Sequence, residues 1–135
     1  MQSVISGPKC ELTRYWDGTG TLVQYTFVKE NGTYVDKCTP ISHATNDRPL
    51  MIIQNTVASG YASQIPLSGV CFGPSLAIAG GTCTPGKMAK IDGTGCVVNA
   101  TPTYGTEQIV GIFLSGGSSG DFVWLFVIPI LAAGA

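Results

Sequence analysis

Glycine and proline interrupt this chain so often that a helical fold is disfavoured from the start. The 135 residues include 18 glycines and 8 prolines, and either residue destabilises the interior of a helix. The stretch around Val57 is a partial exception. Short runs of β-branched and aromatic residues lie between the breaks. This pattern predicts an all-β single domain, a β-sandwich or β-barrel built from hairpins, with an extended N-terminal arm.

Charge is scarce in this sequence. Charged residues make up 11 % of the chain and the formal net charge is -1, whereas about 25 % is usual. A surface with so little charge favours a protein packed against other copies or a larger assembly. The seven basic residues are spread along the chain without forming a cluster, so no nucleic-acid partner is expected.

Five cysteines, an odd number, occur without any Cys-x-x-Cys pair, and His43 is the single histidine. Zinc sites usually need closely paired ligands, so no metal is expected. Small buried thiols in a reduced compartment are the preferred interpretation, and one or two disulfides in a mature assembly remain the alternative. The cysteines are Cys10, Cys38, Cys71, Cys83 and Cys96.

Neither end of the sequence predicts contact with a membrane. The start from Met1 to Pro8 has no basic segment and no continuous apolar run, so no secretory signal is expected. Phe122 to Ala135 is apolar, but its 14 residues, interrupted by Pro129, fall short of the ~20 needed to span a bilayer. We expect synthesis in the cytoplasm and no membrane partner.

The clearest predicted element is a hairpin over residues 21–38. Strands are expected at 22–28 and 33–35, joined by a two-residue turn at Asn31-Gly32, because Asn-Gly accepts positive φ at both turn positions. Further hairpins are expected around Asp92–Gly95 and around the loop from Ser115 to Asp121. The last predicted strand, Phe122 to Ile128, is apolar on both of its faces. It should therefore be central or buried between layers.

Two more strands are expected at Leu50–Ile53 and Gln64–Val70. The first of them belongs to a faint internal repeat at an offset of 60 residues, in which 50–65 matches 110–125. Two copies are too few for a solenoid. A pseudo-twofold in a barrel and chance similarity both remain open.

No group of residues predicts catalysis or cofactor binding. A nucleophilic site needs a base and an orienting group, and His43 lies in a loop with no local partner pattern. The acidic residues lie mostly beside glycine or in predicted turns, where carboxylates cap turns, and 92–95 is such a turn rather than a calcium loop. The sequence predicts no enzyme, with no catalytic, cofactor-binding or metal-binding residues.

A longer series of motifs covers about sixty per cent of the chain. It runs from Ile52-Ile53 and the turn Ala58-Ser59-Gly60 through the Gly-Val step at 69–70 and the Gly-rich step at 79–87 to the Asp-Gly hairpin at 91–98. It ends with the strand at 109–112, the turn Ser119-Gly120-Asp121 and the strand from Phe122 to Pro129. In order and spacing this series resembles the head decoration, or capsid cement, proteins of tailed bacteriophages.

The resemblance implies a structural virion protein. Members of that family form homotrimers on the outer surface of the mature phage head, bridge subunits of the major capsid protein and have no catalytic residues. Residues 1–20 would then be an N-terminal arm and loop, and 21–135 the β domain, with a decoration-like core at about 48–130. The proposed arm that contacts the capsid consists of Gln2, Ser3, Val4, Ile5, Ser6, Gly7 and Pro8.

Three alternatives remain beside that interpretation. Another structural phage component, such as a tail, fibre or minor capsid protein, would have the same composition. A biotinyl- or lipoyl-type carrier module is suggested by Lys87 and Lys90, but both lysines enter a strand instead of occupying a hairpin tip. A hydrolase assembled from scattered residues is the least favoured.

Overall fold

The computed structural model describes residues 7–16, 18, 22–30, 37–40, 49–55, 66–101 and 109–128, with the backbone alone at 37–40. These residues form nine strands and no helix, which confirms the predicted all-β class. The strands are β1 (Cys10–Trp16), β2 (Phe27–Glu30), β3 (Lys37–Pro40), β4 (Pro49–Ile53), β5 (Pro66–Ile78), β6 (Met88–Ile91), β7 (Val97–Asn99), β8 (Ile109–Phe113) and β9 (Phe122–Val127).

The first five strands form a closed ring of pairings. The order β1-β3-β2-β4-β5 returns to β1 through an additional β1–β5 pairing. The β1–β3 pair is parallel and the others are antiparallel. A closed ring leaves no row of unpaired backbone groups to recruit another strand. This half of the chain is therefore a small barrel.

The 13-residue strand β5 belongs to both halves of the molecule. Its first half pairs with β1 and β4, and from Gly73 onward it pairs with β9. The sheet continues as β9-β8-β6-β7. It curls back to the end of β5, where Ala79 bridges Val97 and the Gly80 amide donates to the Val97 carbonyl at 2.8 Å.

Two hydrophobic cores lie on opposite sides of the wall formed by β2, β4 and β5. Val28, Met51 and Ile53 point into the ring with Trp16, Leu22 and Leu67. The alternate residues Phe27, Ile52 and Val70 join the larger core under β5-β9-β8-β6-β7. A wall buried on both faces must be apolar at every position, which explains the run Leu50–Ile53.

The predicted hairpin at 21–38 exists as the antiparallel pair β2–β3, but its predicted turn is wrong. Glu30 pairs with Cys38, whereas a two-residue turn at Asn31-Gly32 would place Thr33 opposite Glu30. The predicted strand at 22–28 is also too long. Tyr25 adopts φ 66° within a turn at Gln24-Tyr25, and the strand begins at Phe27. The predicted strand at 33–35 lies outside the described residues.

The other hairpins are confirmed. β6 pairs with β7 across the Asp92–Gly95 turn, and β8 pairs with β9, which lies centrally between β8 and β5. The two copies of the repeat also form antiparallel pairs, but in different registers. Ile53 pairs with Gly69, whereas the equivalent Phe113 pairs with Leu125. The internal repeat in the sequence is therefore not matched by a repeat in the register of strand pairing.

Cys10–Trp16 lie in the sheet, although residues 1–20 were predicted to be an arm and loop. Leu12 and Trp16 alternate inward onto the core of the ring, while Glu11 and Arg14 weaken the apolar pattern that would reveal a strand. β1 pairs with β5 over Cys10–Tyr15. The β domain therefore begins at β1 rather than at residue 21.

Candidate interaction surface

One face of the second sheet is apolar and uncovered. Along β5 and β9, the pairs Ala77–Val123 and Ser75–Leu125 point into the core. The alternate pairs, Leu76–Trp124 and Pro74–Phe126, therefore point to the other side of the sheet, where Leu76, Trp124 and Phe126 are partly exposed and Pro74 is buried near Gly7. Phe126 also pairs with Ile112 of β8, and Ile112 with Met88 of β6. Neighbouring rungs thus place apolar side chains side by side across four strands.

Five of the side chains on this face are large and well exposed, and three more are partly exposed. Phe122 is 62 % exposed and Met88 53 %, and Phe72, Leu114 and Ile112 are each about 40 % exposed. Phe72 contacts Phe126 edge to face at 5.4 Å between ring centroids. We call this set the apolar face. It consists of Phe72, Leu76, Met88, Ile112, Leu114, Phe122, Trp124 and Phe126.

The size of the apolar face distinguishes it from scattered surface residues. Its five most exposed side chains leave on the order of 400 Å² in contact with solvent, because large apolar side chains present roughly 200 Å² each. The largest apolar patch on a soluble monomer is typically about 300–600 Å² and is often functional. Burying that area is worth about 10 kcal/mol before the costs of association, so the face can hold a partner without any charge.

The root of the N-terminal arm lies beside this face. Gly73 adopts φ +110°, and a Cβ at Gly73 would be 2.8 Å from the Pro8 carbonyl oxygen and 2.9 Å from Lys9 Cα. Gly73 precedes Pro74, which is opposite Phe126. Gly7 and Pro8 are thus placed at the edge of the apolar face, and both are exposed. The remaining predicted arm residues, Gln2 to Ser6, lie outside the described residues.

The loops considered for chemistry are held by their own turn bonds. The Asp92 carboxylate accepts hydrogen bonds from the Thr94 amide at 2.8 Å and from the Thr94 hydroxyl at 2.7 Å, which confirms the predicted turn. Asp121 accepts from the Ser118 amide at 2.9 Å. Within the described ranges no three His, Cys, Asp or Glu side chains are grouped to hold a metal ion. His43 lies outside those ranges.

The cysteines are not uniformly buried, contrary to the preferred interpretation. Cys83 is 4 % exposed, Cys71 and Cys96 are half-buried, and Cys10 is exposed. Burial, together with the nearby negative charge of Asp121, raises the pKa of the Cys83 thiol to about 11. The Cys83 thiol also donates to the Val97 carbonyl at 3.4 Å. Cys83 is therefore a structural thiol. The side chain of Cys38 lies outside the described residues.

Thiol labelling should separate these cysteines. In the folded, reduced protein at pH 8, iodoacetamide is expected to modify Cys10 quickly and Cys83 at least about 100-fold more slowly, because a buried thiol with a raised pKa provides little reactive thiolate. Mass spectrometry of peptides taken during the reaction measures both rates in one sample. Labelling in denaturant is the control, where the two rates should converge. Equal rates in the folded protein would contradict the burial of Cys83.

The apolar face was not predicted from the sequence. One signal was present in the sequence. β9 is apolar at nearly every position, which predicts that both faces of this strand pack against other apolar groups. Which side of the sheet remains uncovered depends on pairing between distant strands.

No helix in the described part of the chain is long and apolar enough to cross a membrane.

The described residues form an all-β fold with an exposed set of apolar side chains on one sheet face. No family model matches the sequence, and no curated protein matches it. Among solved structures, the fold is similar to that of the head fiber gp8.5 N base in bacteriophage phi29, with a TM-score of 0.63. The similarity covers 90 % of this chain and 96 % of that chain, at 17 % sequence identity. The likeness establishes the fold, and it is to a head fibre base rather than to a cement protein.

Proposed function

We propose that this protein is a non-enzymatic structural component of a tailed-phage particle that binds the outer surface of the head. The observation that carries the proposal is the apolar face on a fold shared, over nearly its whole length, with a head fibre base. The low charge and the turn roles of the acidic residues agree with it. A head fibre base or similar minor head protein is the first choice, and a cement protein that bridges coat subunits is the second.

The occupant of the apolar face is a second copy of this chain. About 400 Å² of apolar surface can form the centre of a self-association interface, since stable interfaces bury about 800 Å² per partner and place apolar residues at the core. None of the eight side chains in the face is charged, so no charge complementarity selects a different partner. Three copies around a threefold axis would bury the face in a homotrimer.

The N-terminal arm is the element that reaches the major capsid protein. Gly7 and Pro8 leave the body next to Gly73, at the edge of the face that the homotrimer buries. An extended segment there can add backbone hydrogen bonds to a neighbouring protein without needing charge. Three arms from one trimer multiply a weak contact, because binding of the second and third arms is intramolecular.

Co-sedimentation with heads tests the proposal. The full-length protein should pellet with expanded heads of its phage that lack it, and should saturate at a simple ratio to coat subunits. Deleting Gln2–Pro8 should reduce the bound fraction at least about 10-fold and leave the melting temperature of the free protein unchanged. Substituting Thr82, which is exposed and distant from the arm in sequence, by alanine is the control. Pelleting with tails, or no pelleting, would refute head binding.

Heating separates a cement protein from a fibre base. A protein that bridges coat subunits binds the assembled shell alone and stabilises it by mass action. Saturated heads should then lose their genome at a higher temperature than bare heads. A fibre base bound at the same ratio should leave that temperature unchanged, so the measurement decides between the two roles once binding is shown.

A further inference from the structure

Cys10 and Cys71 face each other across the β1–β5 pair. Cys10 pairs with Phe72 and Glu11 with Val70, so Cys71 is the extra residue of a β-bulge. At a bulge, two residues of one strand oppose a single residue of the other. Cys10 is therefore opposite both Phe72 and Cys71. Paired positions in antiparallel strands have Cα atoms about 4.5–5.5 Å apart, inside the range that a disulfide accepts.

Both thiols also lie on the same side of the sheet. Side chains alternate along a strand, so Cys10 points to the same side of β1 as Leu12 and Trp16, which point into the ring. Cys71 packs against that same core. The Cys71 thiol donates a hydrogen bond to the Cys10 carbonyl at 3.3 Å. Burial raises the pKa of the Cys71 thiol, and the neighbouring Cys10 raises it further.

We propose that Cys10 and Cys71 form a disulfide under oxidising conditions and so fasten β1, with the N-terminal arm, to β5. Neither of the other described cysteines lies opposite Cys10 or Cys71 in the strand pairing. Cys83 is buried, with its thiol directed to the Gly81 and Val97 carbonyls. Cys96 lies in the loop between β6 and β7. The inference does not depend on the proposed function, and its failure would leave that function untouched.

The chemistry is thiol–disulfide exchange with a disulfide oxidant such as oxidised glutathione. The exposed Cys10, as its thiolate, attacks one sulfur of glutathione disulfide and releases one glutathione thiolate, which takes up a proton. The Cys71 thiolate then attacks the Cys10 sulfur of the mixed disulfide and releases the second glutathione. Two protein thiols are oxidised to one disulfide, and one glutathione disulfide is reduced to two glutathione molecules.

The position of the bond gives it a structural effect. β1 closes the ring through β5 on one side and through only Tyr15–Lys37 and Trp16–Cys38 on the other. A covalent link at the opposite end of β1 prevents the ring from opening there. The disulfide would be absent in a reducing cytoplasm and would form when the protein meets an oxidising medium.

Peptide mapping of the oxidised protein tests the inference. Full-length protein is reduced, equilibrated with oxidised glutathione, alkylated and digested without reduction. The expected product is a peptide of residues 10–14 linked to one containing Cys71, and the melting temperature should rise by about 10 °C. Cys10→Ser, at an exposed position, should abolish both effects, whereas Cys96→Ser should preserve both.

Three results would overturn the inference. The first is folded wild-type protein in which Cys10 keeps its mixed disulfide with glutathione while Cys71 is still a free thiol and becomes alkylated. The second is a rise in melting temperature that persists in Cys10→Ser, which would assign the effect to another pair. The third is a linked peptide without any rise in melting temperature, which would refute the fastening of β1.

Discussion

Replacing Phe113 by alanine should lower the free energy of unfolding by about 3–5 kcal/mol. Phe113 is 1 % exposed and ranks first by volume among the fully buried side chains of the described chain. It lies at the end of β8, inside the larger core, between β6 and β9. Removing the ring leaves a cavity that these strands cannot fill, because both are held by backbone pairing on each side.

An effect of this size would use up much of the stability of a domain of this length, which is typically 5–15 kcal/mol. Urea unfolding followed by tryptophan fluorescence gives the difference directly. Tyr15→Ala is the matched control, since it also removes an aromatic ring, but from a side chain that is 44 % exposed; it should cost at most about 1 kcal/mol. A loss below 1 kcal/mol in Phe113→Ala would show that the larger core is not packed around this ring.

Two of the three hairpins with a local turn signal were fully predictable from the sequence, whereas Asn31-Gly32 predicted the right strand pair with the wrong turn. The β6–β7 turn is set by Asp92, Gly93 and Gly95, and both glycines adopt positive φ, at 107° and 86°. The β8–β9 connection likewise uses Gly120, at 90°. In these places the residues that define the turn are neighbours in sequence, so their conformational preference is enough to specify the pairing.

Strand β5 shows why the rest was not predictable. Pro66, Gly69, Gly73 and Pro74 all suggest breaks, yet one strand runs through them. A Cβ at Gly69 would overlap the Met51 side chain, so Gly69 makes room for the core of the ring. Gly73 makes room for the N-terminal segment. Both reasons arise from residues distant in sequence, which no local pattern contains.

The interaction surface was missed for a related reason. Ile112, Phe126 and Met88 become neighbours only when β6, β8 and β9 pair in their observed register. Read along the chain, each belongs to a strand that simply looks apolar. The low charge of the sequence predicts association, and the resemblance predicts a capsid contact on the arm, but neither contains a signal for a contact on a sheet face.

Substituting Ile112 by aspartate should dissolve self-association while leaving the monomer folded. Ile112 is at the middle of the apolar face, between Met88 and Phe126. An aspartate there removes apolar contact area and buries an unpaired carboxylate in each interface, and central residues of this kind contribute 2 kcal/mol or more. The dissociation constant should rise at least about 30-fold. Because Ile112 is 39 % exposed in the single chain, the monomer can keep the new carboxylate hydrated.

Sedimentation velocity over a range of concentrations, with circular dichroism to monitor the fold, measures this change. Tyr15→Asp is the matched control, because Tyr15 is similarly exposed but pairs with Pro66, six residues from Phe72 along β5 and so about 20 Å from the apolar face. It should associate as the wild type does. A wild type that stays monomeric at about 100 μM, or an Ile112→Asp variant that associates equally well, would rule out the apolar face as the contact between copies. Head binding would then have to rest on single chains and their arms, and the advantage of three linked arms would be lost.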